Sequence, residues 1–167
     1  MYFFTSDEHY FHKNIMKHSN RPFSSVEEMN SELIKRHNKV VGKNDIVIHG
    51  GDLTFIKPKE RVYREIVNKL NGNHIFVQGN HDHWIPKKER KHIWEKYFKE
   101  YGLHIVVCHY PMRTWNKSHY GSIQLFGHVH GNLEPYPNQY DIGVDVNNFY
   151  PVSLEYIAEM FGGDKFV

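Results

Sequence analysis

Apolar residues fall in short unbroken runs along this chain: Tyr2 to Thr5, Ile46 to Ile48, Ile75 to Val77, Ile105 to Cys108, Ile123 to Phe126 and Ile142 to Val146. Runs this short, without strict alternation, predict strands covered on both faces. Between them the spacing turns helical. Val26, Met29, Leu33 and Val40 step along one helix face, and Ser25 with Glu28 forms a capping box at its start. Pro58 opens a second helix carrying Val62, Ile66 and Leu70, and Asn71-Gly72 ends it. Pro86 opens a third with Ile93, Trp94, Tyr97 and Phe98, and a fourth begins near Ser153 with Leu154, Ile157 and Met160. Strand followed by helix, repeated, predicts an α/β fold with a largely parallel interior. The regions Asn116 to Ser122 and Glu134 to Gln139 read as loops, the second because of Pro135 and Pro137. No repeat, low-complexity tract or linker interrupts the chain, so a single domain over residues 1–167 is expected.

Polar residues punctuate the ends of these runs. Asp7-Glu8-His9 follows the first, Gly51-Asp52 the second, Gly79-Asn80-His81-Asp82 the third, His109 the fourth and Gly127-His128-Val129-His130 the fifth. In open α/β sheets the carboxyl ends of strands form the ligand crevice, so the five motifs are expected to converge. They supply carboxylate, amide and imidazole ligands and no thiolate, a set that suits one or two divalent ions and phosphate chemistry. Fourteen histidines in 167 residues strengthen that reading, since imidazole is a common metal ligand.

Composition removes other classes. Cys108 is the only cysteine, so neither an intrachain disulfide nor a multi-cysteine zinc site exists. A net charge of +2 does not by itself announce a nucleic acid or an anionic membrane as partner. No stretch approaches the roughly 20 apolar residues of a membrane span. Met1 to Asp7 does not read as a signal peptide. A cytoplasmic protein is the expectation.

The series Asp7-x-His9, Gly51-Asp52, Gly79-Asn80-His81-Asp82, His109 and Gly127-His128-x-His130 resembles the calcineurin-like metallophosphoesterase family, from Asp7 to His130 and in order. The resemblance implies a four-layer α/β/β/α sandwich. It implies a first metal held by Asp7, His9, Asp52 and His130, and a second held by Asp52, Asn80, His109 and His128, with Asp52 bridging. Two divalent ions are expected, manganese foremost, with iron, zinc or nickel as alternatives. His81 would protonate the leaving oxygen or stabilise charge in the transition state, and a hydroxide bridging the ions would attack phosphorus. Gly51-Asp52 is followed by Leu53-Thr54, and Asn80-His81 by Asp82. Both departures weigh against the family's protein phosphatases and resemble its small, capless bacterial and phage phosphodiesterases. A small, nucleotide-like phosphodiester is therefore the expected substrate. A phosphomonoesterase or nuclease of the same fold, and a non-catalytic metal-binding interaction module, remain as alternatives.

Other residues carry two readings each. His12 either faces substrate phosphate or is a partnered loop histidine. Arg113 and Trp115, soon after His109, either clamp a phosphate and stack on a base or sugar, or anchor their own loop. Asp82 is expected to orient the Gly79-Asn80-His81 turn, His49 to be structural, Asp145 to be a strand-end carboxylate, and Cys108 to be buried and inert.

Overall fold

The computed structural model describes residues 1–162, which run β1 (Tyr2–Thr5), α1 (Lys13–His18), α2 (Val26–Val40), β2 (Ile46–His49), α3 (Lys59–Glu65), β3 (Asn73–Phe76), β4 (Ile93–Phe98), β5 (Leu103–Cys108), β6 (Ile123–Phe126), β7 (Gln139–Asp141), β8 (Val152–Ser153) and α4 (Leu154–Phe161). Three short 3₁₀ turns, Val67–Lys69, Lys87–Glu89 and Ser118–Tyr120, punctuate them. The strands form two mixed four-stranded sheets, ordered β3-β2-β1-β8 and β4-β5-β6-β7. β1, β2 and β3 run parallel, as do β5, β6 and β7, while β8 and β4 add antiparallel edges.

The absence of alternation has a direct cause. Phe4 lies opposite Ile48 in the β1–β2 register, and both are buried in a core shared with Ile105, Val107, Ile123 and Leu125 of the second sheet. Their neighbours Phe3 and Val47 leave by the other face to pack with Val41. Both faces of β1 and β2 are thus apolar. A second cluster gathers Ile15 of α1, Met29 and Leu33 of α2 and Val62 of α3 with loop residues Tyr10, Leu53, Ile56, Trp84 and Val144. Those loop residues flank the polar motifs, so the helical cluster holds the loops in place.

Some elements differ from the sequence reading. The helix expected from Pro86 is a 3₁₀ turn followed by β4, which pairs with β5 from Ile93↔Cys108 to Phe98↔Leu103. Its aromatic and branched residues suit a pleated edge, and Trp94 and Phe98 share a face at period two. The expected strand at Ile142 to Val146 is displaced to β7. Beyond it the Asp141 carboxylate accepts from Gly143 N at 2.8 Å, and the Asn147 side chain donates to Asp141 O at 3.0 Å and Gly143 O at 2.8 Å, coiling the chain into turns. The helix from Pro58 breaks after Glu65, yet Val62, Ile66 and Leu70 all stay buried. Val40 and Met160 are exposed; His37 occupies the buried stripe of α2, and Ala158 that of α4. The short α1 and β8 had no periodicity long enough to betray them. Ser25 Oγ does cap α2, accepting from Glu28 N at 3.1 Å, although the Glu28 carboxylate returns to Ser24 rather than Ser25.

Candidate metal centre

The five polar motifs occupy the carboxyl ends of β1, β2, β3, β5 and β6. The two sheets meet there, through a parallel bridge between Ser6 and Gly143. Six side chains form two compact groups, Asp7 with His9 and His130, and Asp52 with His109 and His128; within each group the potential ligand atoms lie within 4.8 Å of one another. Asp52 stands between them. Its Oδ2 is 3.7 Å from His9 Nε2 in the first group and 3.4 Å from His109 Nε2 in the second. His9 Nε2 and His130 Nε2 are each 3.9 Å from Asp7 Oδ1. These separations exceed hydrogen-bond lengths. They are of the order expected of two atoms that each sit about 2.0–2.2 Å from a shared ion.

Two of these atoms ask for a partner. Asp7 Oδ1 and His9 Nε2 are buried and accept or donate no hydrogen bond. Leaving such a group unsatisfied costs about 1–3 kcal/mol. Burial pushes the Asp7 carboxyl up to about 7, against the pull of His109 and His130, and pushes His9 down to about 3. Burial alone disfavours a carboxylate, yet leaves an imidazole neutral and able to ligate. A divalent cation would compensate the first and use the second, so these residues fit a metal.

The backbone is committed to the same end. Asp7, His9, Asp52, His128 and His130 all adopt positive φ, between 49° and 71°. Non-glycine residues there cost roughly 1–3 kcal/mol each, and such strain gathers at functional sites. The neighbouring glycines make room: a Cβ on Gly127 would collide with Ser6 and Asp7, and one on Gly79 with Asp52.

Hydrogen bonds behind the groups fix them. Asp82 is buried and accepts from Asp52 N at 2.6 Å, Leu53 N at 2.9 Å, Gly79 N at 2.9 Å and Trp84 Nε1 at 2.9 Å. It ties the Gly51-Asp52 and Gly79-Asn80 loops together, beyond the single turn expected of it. His109 Nδ1 lies 3.0 Å from Gly50 O, which leaves Nε2 for a metal, and Nε2 is 3.1 Å from Asn80 Oδ1. Burial lowers the His109 pKa, but the Asp52 and Asp7 carboxylates and the Gly50 carbonyl together outweigh it and the net shift is upward.

Arg21 was not singled out from the sequence, and Asp145, expected as a strand-end carboxylate rather than a support for a ligand, is instead tied to His130. The buried guanidinium donates to Asp7 O at 2.6 Å, to Glu8 O at 2.8 Å, and twice to the Asp145 carboxylate at 2.8 and 2.9 Å. Asp145 Oδ2 is 2.7 Å from His130 Nδ1, which orients that ring and leaves Nε2 toward Asp7. Burial opposes ionisation of Asp145, but His130 and Arg21 hold its pKa below the ordinary carboxylate value. Arg21-Pro22 sits beside no motif, and only the fold brings it back to Asp7.

His81 is in neither group. Its Nε2 is 3.8 Å from Asp52 Oδ2, its backbone N donates to Asp52 Oδ1 at 2.8 Å, and its ring is partly open to solvent. His12 lies beside the first group, Nδ1 at 3.4 Å from His9 Nδ1. The exposed ring of Phe55 packs on both, centroids 4.1 Å from His81 and 4.2 Å from His12. Tyr110, also exposed, packs edge-on against His109 and His128. Trp115 anchors its own loop, donating from Nε1 to Ser122 O at 3.2 Å. Arg113 is exposed. Among the described residues, no hydrogen bond, ion pair or ring contact joins either to a ligand candidate. Cys108 is buried and in no disulfide, and burial raises its thiol pKa against backbone hydrogen bonds from Tyr110 and His109. Behind the site Glu8 Oε1 meets His49 Nδ1 at 2.8 Å and His49 Nε2 meets His74 Nδ1 at 3.0 Å, so His49 is tied into a buried polar chain.

The fold and site thus define an α/β protein carrying two adjacent Asp/His groups at the junction of two sheets. No protein-family model matches the chain. Over 169 aligned residues it is 38% identical to the uncharacterized protein MJ1445 of Methanocaldococcus jannaschii, covering 97% of this chain and 92% of that protein, and it belongs to the family of that protein. It is also similar to a protein of unknown function, AQ665 from Aquifex aeolicus, whose crystal structure superposes with a TM-score of 0.75 at 25% identity, over 96% of this chain and 98% of that one. Among the described residues no helix is long and apolar enough to cross a membrane.

Proposed function

We propose that this chain is a divalent-metal-dependent phosphoesterase of the calcineurin-like kind, built as a four-layer sandwich and acting on phosphodiesters. The observation that carries the reading is Asp52 Oδ2, placed 3.7 Å from one ligand group's His9 and 3.4 Å from the other's His109. A carboxylate so placed can serve two ions about 3.5–4 Å apart. Asp7, His9 and His130 would hold one ion, and Asn80, His109 and His128 the other, with Asp52 shared. The ions, manganese foremost, supply acidified water as nucleophile and positive charge for the phosphoryl oxygens.

The chain's own residues do the rest. His81 stands beside Asp52 without belonging to a ligand group, so it is free to give a proton to the leaving oxygen. Phe55 packs against its ring and fixes where that proton is presented. His12 packs against the same Phe55 on the side of the first group. Asp145 and Arg21 keep His130 and the Asp7 carbonyl in register.

Purified protein supplied with manganese is expected to hydrolyse bis-para-nitrophenyl phosphate, and to lose that activity to a chelator and regain it on manganese addition. Metal bound without turnover of any diester would instead identify a non-catalytic metal-binding module. Turnover that survives exhaustive chelation would rule out the two-metal reading.

A further inference from the structure

Charge is unevenly placed on this chain. The segments Lys57-Pro58-Lys59-Glu60-Arg61 and Lys87-Lys88-Glu89-Arg90-Lys91 carry seven cationic side chains against two glutamates, while the whole chain is +2. They follow different motifs, the first starting five residues after Asp52 and the second six after His81. The fold joins them through an ion pair of Lys59 with Glu89. Lys57, Lys87, Lys88 and Lys91 are exposed.

Between the two segments lies a hollow of about 210 Å³, whose walls include Lys59, Tyr63, His74, Trp84, Glu89 and Lys91. It is smaller than the roughly 300–1,000 Å³ of a drug-sized pocket, on the scale of one base or phosphate. The Tyr63 ring is exposed, with Lys59 Nζ 5.8 Å from its centroid. Two hydrogen bonds link the hollow to the metal centre: its wall residue Trp84 donates to Asp82, which also accepts from the backbone N of Asp52. Phe55 stands at the metal-centre end of the first basic segment. It is two residues before Lys57, within about 7 Å along the chain, and its ring touches His81 and His12.

We propose that Phe55, this hollow and the flanking lysines form a track for single-stranded nucleic acid leading away from the metal centre. This deepens, and rests on, the phosphoesterase reading, by naming an oligonucleotide as the substrate class. Cations interleaved with exposed aromatic rings match a chain of alternating phosphates and bases, which binds by ion pairing and base stacking. An acidic peptide offers charge and nothing to stack on Phe55 and Tyr63. Glu89 occupies Lys59 in the free protein, and an incoming phosphate competes for that ammonium.

The test is fluorescence anisotropy of a fluorescein-labelled twelve-residue oligothymidylate in chelator, where no hydrolysis occurs and no metal is needed. Binding should weaken with salt. Lys87→Ala with Lys91→Ala should weaken it tenfold or more and flatten the log–log salt slope by about 1.4, two contacts at roughly 0.7 each. Lys39→Ala with Lys99→Ala removes equal charge elsewhere and should change it less than twofold. Glu89→Gln should tighten it several-fold. Equal weakening by both lysine pairs, no effect of Glu89→Gln, or equal competition by polyglutamate of the same charge would overturn the track. Diester turnover with manganese reads the metal centre separately: turnover without oligothymidylate binding sinks the track alone, and binding without turnover sinks the phosphoesterase reading alone.

Discussion

Replacing Arg21 with Ala removes four hydrogen bonds to oxygen at once, two to the Asp145 carboxylate and one each to the carbonyls of Asp7 and Glu8, besides a contact with Met29 Sδ. The Arg21 side chain is wholly buried, and Asp145 is 8% exposed, so solvent screens the pair little. Stripping one partner from a buried ion pair costs about 3–5 kcal/mol. Each orphaned carbonyl adds about 1–3 kcal/mol. These do not sum, because all four bonds belong to one network and the loss creates a space water can enter. A destabilisation of about 4 kcal/mol is expected, roughly a quarter or more of the total stability of an ordinary domain. Urea unfolding in chelator measures it without any contribution from bound metal, and the midpoint should fall with little change in slope. Arg21→Lys keeps the charge but cannot span a carboxylate and two carbonyls, so it should recover only part of the loss. A loss within about 1 kcal/mol for Arg21→Ala would falsify the idea that this residue braces the Asp7 turn.

Asp145→Asn should lower manganese affinity by about 10–100-fold, as expected for a residue that orients a ligand from behind; titration calorimetry reads this, and unchanged affinity would mean His130 needs no orienting. Asp52→Asn should lose metal from both groups, whereas His81→Ala should keep both and slow diester turnover by about 10²–10⁴; equal metal loss in the two variants would make His81 a ligand or a structural support. Acid should destabilise the chelated protein through His37 and His74. Burial lowers both to about 4, so their contribution is full above the unfolded value of 6.5 and is lost as pH falls toward 4. The slope is up to about 1.4 kcal/mol per pH unit for each. Because the raised carboxyls of Asp7 and Glu8 give the opposite slope in the same window, the rings are read directly by NMR titration, and a ring that protonates near 6.5 in chelator would show that it is not buried neutral in solution.

The ligand candidates were legible because the chemistry demands particular side chains at strand ends, and short apolar runs mark strand ends well. Asp7, His9 and His130, and Asp52, His109 and His128, come together at the strand ends that reasoning pointed to. Arg21 was illegible for the opposite reason. It lies between α1 and α2, and its partner Asp145 is 124 residues away. The aromatic contacts of the site were illegible on similar grounds. Trp115 drew attention by its type and its nearness to His109, yet its indole N–H is used within its own loop, while Phe55 sits against His81. Periodicity misled at Ile93 to Phe98, where a pattern compatible with a helix face is also an edge strand, and only pairing with β5 decides. Net charge hid the basic segments by averaging them with an acidic remainder.

Each ligand group draws on both sheets. Asp7 and His9 follow a strand of the first and His130 one of the second; Asp52 follows the first, and His109 and His128 the second. The site therefore acts as a gauge of how the sheets are aligned. A slide of about 1 Å between them would spoil both groups together, since constellations of this kind tolerate only about half an ångström. Conversely, ions bound there would rivet one sheet to the other at their carboxyl ends. Substitutions deep in the shared core, at Phe4 or Leu125, are then expected to register as weakened metal binding before any strand is lost.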